Sequence, residues 1–65
     1  MTPEQIRELR AKLGMKQGLL AHNVGVTHST YNRWENGHSK PSPMAVNKLK
    51  QIEKEHKEAQ EAGEK

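Results

Sequence analysis

Gln17-Gly18-Leu19-Leu20-Ala21-His22-Asn23-Val24-Gly25-Val26-Thr27-His28-Ser29-Thr30-Tyr31-Asn32-Arg33-Trp34-Glu35-Asn36-Gly37 is the stretch that decides the fold. Leu20, Ala21 and Val24 form a short apolar stripe at helical spacing, which Gly25 breaks after about two turns. Gly18 inside that stripe costs about 1 kcal/mol relative to Ala, so the helix is marginal. Val26 plugs the turn, Thr27 is a good N-cap, and Thr30, Tyr31 and Trp34 share one face of a second short helix. Asn36-Gly37 is also a hairpin signal, but neither flank alternates with period two, so Gly37 reads as a helix C-cap. Helix, glycine turn, helix is the helix-turn-helix unit, whose second helix can lie in the major groove of DNA.

Outward from this unit the punctuation is equally helical. Thr2 is placed as an N-cap, with Pro3 at the first helical position and Gln5 able to close a capping box. Ile6, Leu9 and Leu13 then make one stripe, ended by Gly14. Downstream, His38-Ser39-Lys40-Pro41 is a loop, and Ser42-Pro43 repeats the cap-and-proline signature ahead of Ala45, Leu49 and Ile52. Beyond Ile52 the apolar stripe stops, while pairs such as Glu53 with Lys57 support helix at i,i+4. The pattern predicts a compact all-α domain of four helices, or five, whose long C-terminal helix frays. It places the DNA-binding domain at residues 1–55 and a charged tail at 56–65.

Size and composition narrow the function. A chain of 65 residues and 7.4 kDa holds one small domain, and its mean hydropathy of −1.10 leaves no run fit for a membrane span or signal core. That favours a cytoplasmic location. Cysteine is absent, so neither disulfides nor thiolate zinc can staple the fold, and packing must supply the stability. Charge is unevenly spread. Residues 1–52 carry eight Lys and Arg against three Glu, a net +5, and residues 53–65 carry a net −2. A basic body suits a polyanionic partner, because Lys and Arg release counterions from phosphates.

The second helix of the central unit carries the candidate site. With Tyr31 and Trp34 turned to the core, His28, Ser29, Asn32, Arg33 and Asn36 share the opposite face, and every one is polar. Arg33 can bond bidentately to guanine O6 and N7 and Asn32 to adenine N6 and N7, with His28 and Ser29 reaching base edges from the helix N-terminus. Lys16 and Gln17 open the preceding helix, where free backbone N–H groups can hold a phosphate, and Asn36, His38, Ser39 and Lys40 supply a second phosphate clamp. Between Arg10 and Lys50 the only acid among seven basic residues is Glu35, which is expected to pair locally with a basic side chain or backbone donors.

Gln17-Gly18-Leu19-Leu20-Ala21, Gly25-Val26-Thr27, Thr30-Tyr31-Asn32-Arg33-Trp34-Glu35-Asn36-Gly37 and Pro41-Ser42 resemble the motif of the lambda-repressor-like, XRE-type helix-turn-helix family over roughly Pro3 to Ile52. Within that family the Thr2–Arg10 segment and the run from Trp34 to Pro43 are most similar to the DNA-binding half of MqsA-like antitoxins. The resemblance implies sequence-specific binding to double-stranded DNA by a small transcriptional regulator, usually as a homodimer on a palindromic operator. It implies Ser29 and Arg33 as base readers, with His28 at a position the family also uses, and Gln17 as a phosphate contact. The chain departs from the family at the start of its second helix, where Lys16 stands in place of the usual Ser or Thr cap.

Other chemistries find little support. His22, His28, His38 and His56 lack metal-ligand spacing, so no metal or other cofactor is expected. Ser29 beside His28 is the only nucleophile–base candidate, but adjacent helical residues do not face each other and the chain has no Asp, so no enzyme activity is expected. Tyr31 and Trp34 both read as core, leaving no stacking platform for single strands. The competing class is a helical protein-interaction module, or an antitoxin-like component, on the same scaffold. Such surfaces concentrate aromatic and aliphatic anchors, which the His28–Asn36 face does not contain. The one self-association surface the sequence offers is Met44, Val46 and the outer face of the last helix.

Overall fold

The computed structural model describes residues 1–63, with side chains to Gln60, as four helices: α1 (Pro3–Leu13), α2 (Gln17–Val24), α3 (His28–Glu35) and α4 (Pro43–Gly63). No strand occurs among the described residues. Helix α1 starts with the expected capping box: Gln5 N–H donates to Thr2 Oγ1 at 3.1 Å, and Thr2 N–H donates to Gln5 Oε1 at 2.8 Å. Helix α4 is capped by Ser42, whose Oγ accepts from Ala45 N–H at 3.2 Å. It runs without a break, so no fifth helix separates from it among the described residues.

The turns between helices are closed by backbone geometry. Gly25 sits at φ 94°, and the N–H groups of Gly25 and Val26 donate to His22 O at 3.1 Å and Ala21 O at 3.0 Å, the paired bonds of a Schellman motif. The residue that follows the glycine, Val26, packs partly buried against the core, so one motif both ends α2 and anchors the turn. Helix α3 closes the same way one residue earlier than the sequence suggests. Its C-cap is Asn36, still right-handed, and Gly37 takes the left-handed conformation just beyond at φ 77°. The paired bonds, Gly37 N–H to Trp34 O and His38 N–H to Arg33 O, repeat those at Gly25 and need the positive φ at the glycine.

The core is one cluster of Ile6, Leu9, Leu20, Ala21, Tyr31, Trp34, Ala45 and Leu49, ringed by Met1, Leu13, Met15, Val24, Val26 and Ile52. All four helices contribute. Tyr31 and Trp34 meet edge to face, with ring centroids 5.7 Å apart and planes at 64°. Thr30, expected on the same stripe, is only half-buried, and its hydroxyl lies 2.9 Å from Thr27 Oγ1 at the helix entrance. The third member of the buried face is instead Glu35, 3% exposed. Tyr31, Trp34 and Glu35 stand at i, i+3 and i+4, which is the repeat that keeps residues on one helix face. No described helix is long and apolar enough to cross a membrane.

Candidate nucleic-acid interface

Because Tyr31, Trp34 and Glu35 are all turned inward, α3 has a fixed rotation about its axis. His28, Ser29, Asn32, Arg33 and Asn36 are all exposed on its outer side. His28 and Ser29 occupy the N-terminal turn, capped by Thr27 Oγ1, which accepts from Thr30 N–H at 3.2 Å. Asn32 and Arg33 follow one turn later. Gln17 joins His28, Ser29 and Asn32 in lining an open groove between the starts of α2 and α3. Lys16, at the start of α2, and Asn36, His38 and Lys40, which follow α3 in the chain, are exposed, and Ser39 is half-buried. Lys16 is the N-cap of α2 with extended backbone (φ −78°, ψ 156°) and gives no side-chain cap, which leaves the first-turn N–H groups of α2 without one.

Two features were not legible in the sequence. The first is the brace that holds α3 in place: Glu35 does pair with a basic side chain, but with a distant one on α1 and not a local one. Glu35 Oε2 accepts from Arg10 Nε at 2.6 Å, Oε1 accepts from Arg10 Nη2 at 3.3 Å and from Gln17 Nε2 at 2.9 Å. Arg7 Nη1 donates to the Glu35 carbonyl at 2.6 Å, and Arg10 Nη1 reaches Met15 O at 3.3 Å. Burial pushes the Glu35 carboxyl up, but the Arg10 guanidinium, the neighbouring Tyr31 hydroxyl and the Gln17 amide, with the Arg10 charge, outweigh it and hold the carboxyl below its ordinary value. Its bond to Arg10 raises the guanidinium in turn. Tyr31 Oη lies buried beside this pair without a well-formed hydrogen bond, and burial first, then its contact with the Glu35 carboxylate and that group's charge, push its hydroxyl up.

The second feature is where the positive charge goes. Arg7 and Arg10, counted in the sequence as part of a basic body, are engaged with Glu35, and Lys12 pairs with Glu53 at 3.1 Å. The cations around α3 that carry no ion pair among the described residues are Lys16, Arg33, Lys40 and Arg7, whose bond to the neutral Glu35 carbonyl leaves its charge in place. Gln17, expected at a phosphate, turns its side chain inward: one amide N–H goes to Glu35, and Oε1 lies 3.0 Å from His28 Nε2. The helical repeat at 31, 34 and 35 already pointed Glu35 to the core. Its partner could not be found that way, because Arg10 lies 25 residues away on another helix.

Among the described residues no three His, Cys, Asp or Glu side chains come together in a way that could hold a metal ion. No curated protein and no solved structure matches the chain. Residues 6–54, which run from the first core residue of α1 into α4 and contain the whole glycine-turn unit, match the helix-turn-helix family model. The chain therefore belongs to that family, as a lambda-repressor-like helix-turn-helix domain of the DNA-binding type.

Proposed function

We propose that this chain is a transcriptional regulator that binds double-stranded DNA at specific sequences, with α3 lying in the major groove. The observation that carries the reading is the division of α3 and its C-cap: three residues turned into the core, and five, His28, Ser29, Asn32, Arg33 and the cap Asn36, exposed, polar and free of aliphatic anchors. A groove reader needs that combination, since the helix must not rotate when its side chains meet base edges. In this reading Arg33 forks onto guanine, Asn32 pairs with adenine, and His28 and Ser29 contact bases at the helix start. Lys16 with the open N-terminus of α2, and Asn36, His38, Ser39 and Lys40 beyond α3, hold phosphates on either side. Gln17 contributes the amide N–H that Glu35 leaves over.

Binding as a homodimer would place two such helices about one helical turn, roughly 10 base pairs, apart or at a multiple of it. Met44, 83% exposed at the start of α4, is the side chain that supports self-association best. A duplex partner also places the chain in the compartment that holds the DNA, the cytoplasm of a prokaryotic cell. A mobility-shift titration on DNA flanking the chain's own coding sequence, at two salt concentrations, tests the reading. A shifted band that outlasts competitor DNA and weakens with salt is expected. Binding that is equal on every duplex, or none on any, would refute it.

A further inference from the structure

Donor and acceptor counting through the brace reaches further than the brace itself. Glu35 is buried, sits against Arg10 and is held ionised, so its carboxylate can only accept. The Gln17 group that meets Glu35 Oε1 at 2.9 Å must then be the NH2 end. That fixes the other end: Gln17 Oε1, an acceptor only, faces His28 Nε2 at 3.0 Å. His28 Nε2 must therefore carry the hydrogen, and in the neutral ring Nδ1 is left as an acceptor. The surroundings agree, because Nδ1 lies beside Gly18, 3.8 Å from where a Cβ would stand, in the first turn of α2. A lone pair is favoured there, next to the positive end of the helix dipole and its uncapped N–H groups.

We propose that Arg10, Glu35, Gln17 and His28 form a one-way hydrogen-bond relay that locks the His28 imidazole in its Nε2–H form and holds it over the first turn of α2. Glu35 and Gln17 are thus positioning residues for the α3 reading face, and His28 offers DNA no N–H donor while its ring is neutral. The inference rests on the reading of α3 as a DNA reader for its purpose, though not for its geometry. Guanine O6 and N7 and thymine O4, which need a donor, are disfavoured opposite His28, and direct donation to bases falls to Arg33, Asn32 and Ser29.

Nitrogen-15 NMR of the full chain without DNA, at about pH 8.5 and so roughly two units above the ordinary imidazole value, reads the tautomer directly. The expected result is a His28 ring protonated at Nε2, with a slowly exchanging Nε2–H that shows a cross-peak to the Gln17 side chain. Gln17→Met keeps the length of the side chain and removes both hydrogen bonds, so that resonance should be lost to fast exchange while the remaining spectrum stays folded. In selection from a random DNA pool the variant should blur the base preference opposite His28 and no other, while its affinity for every duplex falls alike through the lost Gln17 phosphate contact. A parent ring protonated at Nδ1, or an Nε2–H unchanged in Gln17→Met, would overturn the relay, whatever the DNA result. An intact relay in a chain that selects no DNA sequence would support the geometry and overturn the reading role, and with it the proposed function.

Discussion

Replacing Arg10 by Met tests the brace quantitatively. Glu35 is 3% exposed, and Arg10 supplies two of the three hydrogen bonds its carboxylate accepts, at 2.6 and 3.3 Å. Breaking a buried pair by removing one partner costs about 3–5 kcal/mol, because the remaining charge is left uncompensated. The Arg10 side chain is 29% exposed, so water can enter the vacated space, and the lower end, about 3 kcal/mol, is expected. A domain this small holds only about 3–5 kcal/mol in all, so the variant should be close to unfolded at neutral pH. The pH dependence should also change sign. In the parent the folded carboxyl is depressed, so its stabilisation is full above the unfolded carboxylate value, near 4.3, and fades as pH falls through the lower folded value. Without Arg10, burial dominates and the folded value rises. The variant should then gain stability relative to its own neutral-pH state as the carboxyl takes up a proton, over a window above 4.3. Urea unfolding at pH 7 and at about pH 5 measures both effects. A loss below about 1 kcal/mol at pH 7, or a variant that still loses stability over that acid step, would refute the reasoning. Combining Arg10→Met with Glu35→Met should cost less than Arg10→Met alone, since no orphaned charge remains.

Trp34→Ala removes a side chain 4% exposed that meets Tyr31 edge to face, and should cost about 3–5 kcal/mol, leaving no cooperative transition in a circular-dichroism melt. Gly37→Ala forces a side chain into φ 77° and should cost about 1–2 kcal/mol by urea unfolding, without altering the helical content of the folded state. Lys40→Ala should weaken binding to the selected operator and to random duplex alike, and lower the slope of log affinity against log salt by about one. An effect confined to the operator would show that Lys40 reads bases.

The fold was largely legible because its signals are local. Thr2, Ser42 and the prolines after them mark helix starts, Gly14 and Gly25 mark ends, and the apolar spacing gives each helix its inner face. The exposed set 28, 29, 32, 33 and 36 followed from one decision, that Tyr31 and Trp34 face inward. What stayed hidden is non-local or polar. Arg10 counts as positive charge in any composition, yet the fold pairs it with the buried Glu35 carboxylate and removes it from the surface balance. Gln17 reads as a polar residue at a helix start, and only three-dimensional contact shows it bridging Glu35 and His28.

Whether α3 reads base sequence is decided by Arg33→Ala. Arg33 is exposed one residue from buried Trp34, so removing its side chain should leave the fold unchanged while taking away the one fixed cation on the reading face. Parent and variant should be taken in parallel through selection from a random duplex pool. The account predicts that the parent enriches a defined motif and that the variant loses about 1–3 kcal/mol of discrimination at one guanine-containing pair per half-site, keeping weak, salt-sensitive affinity for any duplex. Recovery of the same motif, with the same strength at every position, from both proteins would contradict it.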